Sequence, residues 1–252
     1  MMRFTDKVVL ITGGAGAIAR RTAQAFAAEG ATVVLAGRDS ARLADAVKHI
    51  QAEGGRADWA TADVTSPEDS ARMVETTVQR HGGLHVAFNN AGIIGDFAPL
   101  ADLDPAAWSA VMDVNLTGVF LSMKYEIAYM REHGGGAIVN MASNIGAHRR
   151  LEGLAAYAAS KAGVSVLSRA AAREYAGDGI RVNALSPGAS DTAMSYRPGE
   201  TTADRDARLA PHIPLGRVGD PGEIAAAVLW LAGADSSFVA GHDLVIDGGV
   251  TA

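Results

Sequence analysis

The sequence predicts one α/β domain, a doubly wound parallel sheet of about seven strands with helices on both faces. Short, wholly apolar, β-branched runs alternate with longer alanine-rich stretches along all 252 residues. Apolar strands of this kind lie in parallel sheets that helices cover on both sides. No linker, low-complexity tract or other repeat interrupts the alternation, so we expect a single domain over residues 1–252.

The elements follow one another in a regular order along the chain. Several helical segments begin with Ser or Asp and end in Gly, the residue types that cap helix ends. The predicted strands are 8–12, 32–36, 56–61, 84–89, 136–143, 180–186 and 242–247. The predicted helices are 19–30, 40–55, 66–83, 104–135, 155–179 and 220–234.

The least regular segment is 189–214, which is polar and punctuated by proline. A long irregular insertion in a compact α/β domain is usually a functional loop or lid. We therefore predict a substrate lid over this range. Its acidic residues Asp191, Asp204 and Asp206 are interpreted as solvated charges.

Composition excludes several classes of function. The net charge of −6 argues against nucleic acid and anionic membranes as partners, since both require a basic face. No apolar stretch is long enough for a membrane span, and the N-terminus lacks the pattern of a secretory signal. The absence of cysteine excludes disulfides and thiolate chemistry, and seven scattered histidines predict no metal site. We expect a soluble, cytoplasmic protein.

The stretch TGGAGAIA, residues 12–19, follows the first predicted strand. In doubly wound sheets, ligands bind at the carboxyl ends of strands where the strand order reverses. Gly14, Gly16 and Ala19 fit the dinucleotide pattern G-x-G-x-x-[G/A], and the helix that follows would direct its free N–H groups at a pyrophosphate. The alternative is a turn with a purely structural role. Residues at the ends of the later strands distinguish the two interpretations.

Those later strand ends carry a recurring set of motifs. TGGAGAIA, ADV, NNAG, VNLTG, IVNMAS, YAASK, RVNALSPG and IDGG, in this order, resemble the short-chain dehydrogenase/reductase family over nearly the whole chain. The resemblance implies a Rossmann-like fold and an NAD(P)-dependent oxidoreductase that interconverts a ketone or aldehyde with an alcohol by hydride transfer. A catalytically silent, nucleotide-sensing protein on the same fold is the alternative, because fold alone does not determine function.

Tyr157 and Lys161 are four residues apart on a predicted helix and so share one face. A neighbouring ammonium and an oxidised nicotinamide would lower the pKa of the tyrosine, which makes Tyr157 the predicted general acid/base. The resemblance implies that Ser143 polarises the substrate oxygen and that Asn115 bends its helix and supports a proton relay. The alternatives are a chance pair on a solvated face, a turn-forming serine and a capping asparagine.

The expected cofactor site combines the glycine turn with residues after the other strands. Gly37 and Arg38 stand where NAD-dependent relatives carry an acid, and an arginine can pair with a 2′-phosphate. NADP(H) is therefore favoured and NAD(H) is possible, although Asp39 follows at once and Gly16 stands where some NADP enzymes carry a basic residue. The predicted cofactor residues are Gly13, Gly14, Gly16, Ala17, Ile18, Gly37, Arg38, Asp63, Val64, Asn90, Ala91, Gly92, Tyr157, Lys161, Pro187, Gly188 and, on the nicotinamide carboxamide, Thr192.

Substrate identity is the least determined feature. Ile94, Asn144 and Met194 follow three different strands and are the predicted contacts of a small-molecule carbonyl or alcohol. The run His148–Arg150 would suit an anionic substrate, but an exposed or inter-subunit loop is the simpler interpretation. The resemblance implies a homotetramer, or a homodimer, and the alanine-rich faces of 105–132 and 155–177 suit close helix packing.

Overall fold

A computed structural model describes residues 2–252, and a parallel sheet of seven strands lies at its centre. The strand order is β3-β2-β1-β4-β5-β6-β7, and all seven predicted strands are present. The strands are β1 (Val8–Thr12), β2 (Thr32–Gly37), β3 (Arg56–Thr61), β4 (Val86–Asn89), β5 (Gly136–Met141), β6 (Ile180–Pro187) and β7 (Asp243–Ile246). The helices are α1 (Ala17–Ala28), α2 (Ser40–Ala52), α3 (Pro67–His81), α4 (Pro105–Met112), α5 (Gly118–Met130), α6 (Ala155–Tyr175), α7 (Thr202–Leu209) and α8 (Pro221–Ala232).

The strand order reverses at β1, which pairs with β2 on one side and β4 on the other. The connections on the two sides of this point diverge, so a crevice opens beyond the carboxyl ends of β1 and β4. Every residue of β1 and of β4 is buried, as a central strand covered on both faces requires. The fold therefore provides a site at the position that the glycine turn occupies.

Two hydrophobic cores hold the helices on the two faces of the sheet. Phe26 and Val228, from α1 and α8, belong to one core. Met73 and Val164, from α3 and α6, belong to the other. The start of α3 is fixed locally, because the side chain of Ser66 caps the helix by accepting a hydrogen bond from a backbone N–H.

The predicted helix 104–135 forms as a continuous run with an irregular centre. Asp113–Thr117 adopts π-helical geometry between α4 and α5. By length and composition, Pro105–Met130 is apolar enough to cross a membrane. Val119 and Met123 nevertheless pack in the core beneath the sheet, as in a core helix of a folded domain. A π segment inserts an extra residue into a helix and is frequent at functional sites.

The segment 189–214 is more ordered than expected. It contains α7, whose start carries a capping box in which Thr201 and Asp204 exchange hydrogen bonds. Asp191 and Asp206 both pair with Arg205, whose side chain is buried. Asp191, Asp204 and Asp206 keep solvent-exposed carboxylates, as expected, but they also bind Arg205 and cap α7. The T-x-x-D spacing is a sequence signal for this helix start.

A buried carboxyl group lies behind the end of β4. Glu126 on α5 is fully buried and accepts a hydrogen bond from Asn89 Nδ2 at 2.9 Å, while its other oxygen and Asn89 Oδ1 have no partner. Burial raises the pKa of Glu126 to about 7, against the opposing effect of the Asn89 hydrogen bond. The acid is thus substantially neutral near physiological pH.

The raised pKa of Glu126 predicts a pH-dependent stability. A carboxyl whose pKa is higher in the folded state contributes stability at low pH, which is lost as the pH rises through about 7. Glu126→Gln keeps an acceptor for Asn89 and carries no charge. We expect the variant to exceed the wild type by about 2 to 3 kcal/mol in free energy of unfolding at pH 8, and by much less at pH 5. Urea unfolding at both pH values measures this, and an equal difference at the two would contradict it.

Candidate active site

The glycine turn after β1 lies against the end of β4. Gly13 has a φ of +65°, and a Cβ there would lie 2.9 Å from the Cα of Ala91 and from Nδ2 of Asn90. A Cβ on Gly14 would lie 2.7 Å from the Cβ of Leu35. Both positions therefore require glycine, the first for backbone conformation and both for space. The turn is built for close approach of backbone segments.

Alanine at position 19 is compatible with this turn. Ala19 is fully buried in the core between α1 and the sheet. Gly16 is the N-cap of α1 and supplies no side-chain hydrogen bond to the first N–H groups, and Ala17 is exposed at the helix start. Ile18 is half-buried. The methyl of Ala19 is accommodated by core packing, and the free N–H groups at this helix start fit a phosphate.

Asn90 joins the end of β4 to the glycine turn. Its backbone N–H donates to Thr12 Oγ1 at 3.1 Å, and its side chain donates to the carbonyl of Thr12 at 3.1 Å. The N–H of Ala91 also donates to Thr12 Oγ1, at 3.2 Å. Asn90 and Ala91 thereby hold the two strand ends in register beneath the predicted cofactor.

Asp63 and Val64 form the turn after β3. Asp63 Oδ1 accepts hydrogen bonds from the backbone N–H of Thr65 at 3.0 Å and from its hydroxyl at 2.8 Å. The N-cap of the next helix is Ser66, so Asp63 shapes the turn and does not cap the helix. Val64 is buried against Gly118, where a Cβ would lie 2.8 Å from Val64 Cγ2.

Positive charge surrounds the glycine turn on the β2 side. Arg38 is exposed directly after Gly37 at the end of β2. Arg20 donates to the carbonyl of Ala15, within the turn, at 3.3 Å. Asp39, the possible competitor of Arg38, caps α2 by accepting from a backbone N–H at 3.0 Å. Arg38 is therefore an exposed arginine next to Gly37, which itself lies beside Gly14 of the glycine turn.

The catalytic candidates meet where α6 crosses the end of β5. Lys161 is buried, with Nζ 5.9 Å from the centre of the Tyr157 ring, and it donates to the carbonyl of Met141 at 2.7 Å. Ser143 is buried just beyond β5, and its hydroxyl is near enough to Tyr157 to lower the pKa of the phenol in part. The structure thus brings together the tyrosine, lysine and serine that the sequence singled out.

Asn115 completes this cluster from the π segment. Its Oδ1 accepts from the backbone N–H of Ile93 at 2.8 Å, and its Nδ2 donates to the carbonyl of Ile93 at 2.8 Å and to Ser160 Oγ at 3.1 Å. A Cβ on Gly92 would lie 3.2 Å from Asn115 Oδ1 and 3.4 Å from Lys161 Nζ. Gly92 therefore leaves the space that these two side chains occupy.

The pKa values in this cluster differ from the expectation in one respect. Burial raises the pKa of Tyr157, and the hydrogen bond with Ser143 opposes this only in part. Burial lowers the pKa of Lys161 to about 8. The protein's own groups thus favour the neutral phenol, whereas a lowered pKa was expected. Tyr157 is protonated near neutral pH and is prepared to act as an acid.

The remaining predicted residues lie around the same crevice. A Cβ on Gly188, just beyond Pro187 at the end of β6, would lie 2.7 Å from the Cβ of Asp247. Asn144 is buried, and its side-chain nitrogen donates to Asp247 at 3.2 Å. The half-buried Ile94 and Thr192 and the exposed Met194 come from the loops after β4 and β6.

The residues that the structure describes contain no candidate metal site. Among residues 2–252, no three His, Asp or Glu side chains are grouped so that they could hold a metal ion. His148 instead pairs with Asp243 at 2.9 Å, 95 residues away in sequence, which the motifs did not indicate.

Comparison with known proteins places the chain in a family. A family model described as "Enoyl-(Acyl carrier protein) reductase" matches residues 13–251. Cyclohexanol dehydrogenase from Acinetobacter sp. (strain SE19) is 40% identical over 99% of this chain and 96% of its own. Cis-4-hydroxycyclohexanecarboxylate dehydrogenase from Sinomonas cyclohexanicum is 41% identical over 99% and 98%.

Solved structures agree with these sequence relatives. Levodione reductase superposes with a TM-score of 0.93 at 37% identity and covers 99% of both chains. A single-residue variant of actinorhodin polyketide ketoreductase with NADPH superposes with a TM-score of 0.91 at 34% identity and 97% coverage of each. The chain belongs to the short-chain dehydrogenase/reductase family. It is an NAD(P)-dependent oxidoreductase acting on an alcohol or carbonyl group, and the nucleotide-sensing alternative has no support.

Burial of Lys161 predicts a conflict between stability and activity. Because its pKa falls from 10.5 to about 8 on folding, the buried ammonium destabilises the folded state at pH 7. Lys161→Met removes the charge but also a hydrogen bond, so we expect a net gain of about 2 kcal/mol in unfolding free energy at pH 7. The gain should shrink as the pH rises from 8 towards 10.5, since the wild type is then deprotonated on folding.

Urea unfolding of wild type and Lys161→Met across this pH range measures the difference. Reductase activity of the variant should fall by on the order of a hundredfold or more. A variant less stable than the wild type at pH 7 would contradict the assigned cost of burial.

Proposed function

We propose that this protein is an NADP(H)-dependent oxidoreductase that interconverts a six-membered-ring ketone and the corresponding alcohol. The observation that carries the chemistry is the cluster of the buried Ser143 and Lys161 with the half-buried Tyr157 beside the end of β5. The ring is supported by the cyclohexane derivatives named in two relatives at 40% and 41% identity.

The roles of the residues follow from their positions. The nicotinamide, when bound, supplies or accepts a hydride at the carbonyl carbon. In the reducing direction Tyr157 gives its hydroxyl proton to the substrate oxygen, and the Ser143 hydroxyl donates a hydrogen bond to that oxygen. The ammonium of Lys161 favours the phenolate that is left. Asn115 holds the backbone of Ile93 and supports return of the proton from solvent.

The cofactor preference rests on Arg38. Its exposed guanidinium follows β2, where an acid would repel a 2′-phosphate. Asp39 is engaged as the cap of α2, so it competes weakly for that guanidinium. Arg20 lies at the glycine turn as well, although its guanidinium is paired with Asp45 at 3.0 Å. These observations support NADP(H) over NAD(H).

The substrate class is supported by the surroundings of the crevice. Phe97, Leu151 and Met194 come from the loops after β4, β5 and β6, and all three are exposed. The first two loops touch, because the N–H of Ala98 donates to the carbonyl of Gly153 at 3.1 Å. Apolar side chains on converging loops suit an uncharged or weakly polar ring better than a sugar.

A cofactor and substrate panel tests this proposal. We expect the purified protein to oxidise NADPH faster than NADH with cyclohexanone and 4-substituted cyclohexanones, and slowly with sugars or acyclic keto esters. Tyr157→Phe should lower turnover by on the order of a hundredfold or more, because the general acid is removed. Faster turnover of a 3-oxoacyl thioester than of any cyclic ketone would overturn the ring assignment.

A separate substitution tests the cofactor assignment. Arg38→Ala removes a charge-assisted contact to the 2′-phosphate and should weaken NADPH binding roughly 10- to 100-fold. NADH binding should change little, because it lacks that phosphate. Fluorescence titration with both dinucleotides measures the two effects, and equal losses would contradict the role of Arg38.

We also propose a cytoplasmic homotetramer built on the α4–α6 surface. Phe120 on α5 and Val166 on α6 are 47% and 64% exposed, and the two helices are in contact. Large apolar side chains exposed on adjacent helices mark a surface that associates. The absence of cysteine suits a reducing compartment.

Introducing charge on this surface tests the assembly. Phe120→Glu should shift the mass measured by light scattering after size-exclusion chromatography from tetramer towards a smaller species, since a buried carboxylate opposes association. Leu100→Glu is the matched control, because Leu100 is 71% exposed but lies outside these helices. An unchanged mass for Phe120→Glu would exclude this interface.

A further inference from the structure

A hydrogen bond between His148 and Asp243 joins the loop after β5 to the edge strand β7. His148 Nε2 lies 2.9 Å from Asp243 Oδ2, and the side chain of Asp243 is only 1% exposed. Ser186 donates to the other carboxylate oxygen of Asp243 at 2.6 Å. A buried carboxylate needs a partner of this kind, because an unpaired charge in the interior is strongly destabilising.

The electrostatics of Asp243 favour its ionised carboxylate. Burial alone would favour its neutral acid, but hydrogen bonds from Ser165, Ser186 and His148 outweigh this and hold the pKa of its carboxyl below the ordinary range. Ser186 on β6 and His148 in the loop after β5 lie at hydrogen-bond distance, so the carboxylate on β7 ties these two segments to its own strand.

The order of these groups excludes nucleophilic catalysis by Ser186. In a serine nucleophile site the imidazole lies between the hydroxyl and the carboxylate, so that it can take the hydroxyl proton. Here both Ser186 and His148 contact the carboxylate of Asp243. The arrangement can position a segment, but it cannot activate the serine.

The segment that His148 holds is the serine loop, residues 143–149. Within it the N–H of Arg149 donates to the carbonyl of Asn144 at 2.7 Å, and the N–H of Gly146 donates to the carbonyl of Arg149 at 2.8 Å. These bonds close the loop into one compact unit. A displacement at His148 is therefore transmitted to Asn144 and to the adjacent Ser143.

The opposite side of the serine loop lies directly on α6. Gly146 has a φ of +148°, and a Cβ there would lie 2.9 Å from the backbone nitrogen of Ala162 and 3.1 Å from the carbonyl oxygen of Ala158. Both atoms belong to the part of α6 that is next to Tyr157 and Lys161 in sequence. The loop is thus held between the helix that carries the proton donor and the His148–Asp243 hydrogen bond at the sheet edge.

We propose that the His148–Asp243 pair is a positioning element that presses the serine loop onto α6 and so sets the distance between Ser143 and Tyr157. Its effect on turnover rests on the proposed reductase function. The hydrogen bond from Asn144 to Asp247, at 3.2 Å, is a weaker second tie to the same end of the chain.

The test compares His148→Leu with a matched pair at the other edge of the sheet. His81 and Asp58 form a similar contact at 3.1 Å near β3, and His81 is 20% exposed where His148 is 23% exposed. We expect His148→Leu to lower kcat for ketone reduction roughly 10- to 100-fold, because a small misplacement of a catalytic group suffices for such a loss. The Kd for NADPH should stay within about twofold of the wild type, since the glycine turn is unaffected. His81→Leu should leave kcat unchanged.

Rescue and exchange measurements separate positioning from simple destabilisation. His148→Gln can still donate to Asp243 and should recover most of the lost kcat. Hydrogen–deuterium exchange should increase in peptides covering 144–149 in His148→Leu, but not in His81→Leu. The exchange measurement needs no substrate, so an inactive wild type would overturn the proposed function without deciding this inference. Unchanged exchange at 144–149, or an unchanged kcat in an active enzyme, would overturn the positioning role.

Discussion

The contact between the glycine turn and the end of β4 is the constraint on which the site depends. Gly13 meets Asn90 and Ala91 at distances that no Cβ would allow, and the Asn90 side chain bonds the same turn. This contact brings the ends of β1 and β4 together at the point where the strand order reverses. The crevice, the start of α1 and the loop that carries Gly92 all take their positions from it.

The catalytic cluster is organised by burial rather than by exposed charge. The ammonium of Lys161 donates a hydrogen bond to a backbone carbonyl, and the side chain of Asn115 is hydrogen-bonded to the backbone of Ile93. The raised pKa of Tyr157 keeps its phenol neutral. Each of these groups is therefore fixed before any ligand arrives. Preorganised polar groups in a poorly solvated site act strongly on a developing charge, which is what carbonyl reduction requires.

Sequence reasoning predicted the strands, the glycine turn and the serine, tyrosine and lysine, because each depends on local periodicity or on a motif of short span. It did not predict the pairing of His148 with Asp243, since the two residues are 95 positions apart and meet only through the sheet. It also missed Arg205, which lies in a segment predicted to be irregular, and the buried Glu126, because a charged residue in a helical pattern ordinarily indicates a solvated face. These residues depend on tertiary packing, for which the chain carries no local signal.

The π segment at Asp113–Thr117 changes the phase of the long helix. One inserted residue rotates everything after it by about 100° relative to a regular helix, since each residue advances the helix by that angle. The face that α5 presents to the sheet is therefore not the continuation of the face that α4 presents. Loss of a single residue in this stretch would restore regular winding and turn the core side chains Val119 and Met123 away from the sheet. Deleting one residue from this helix should therefore disturb the core more than replacing one residue on its surface.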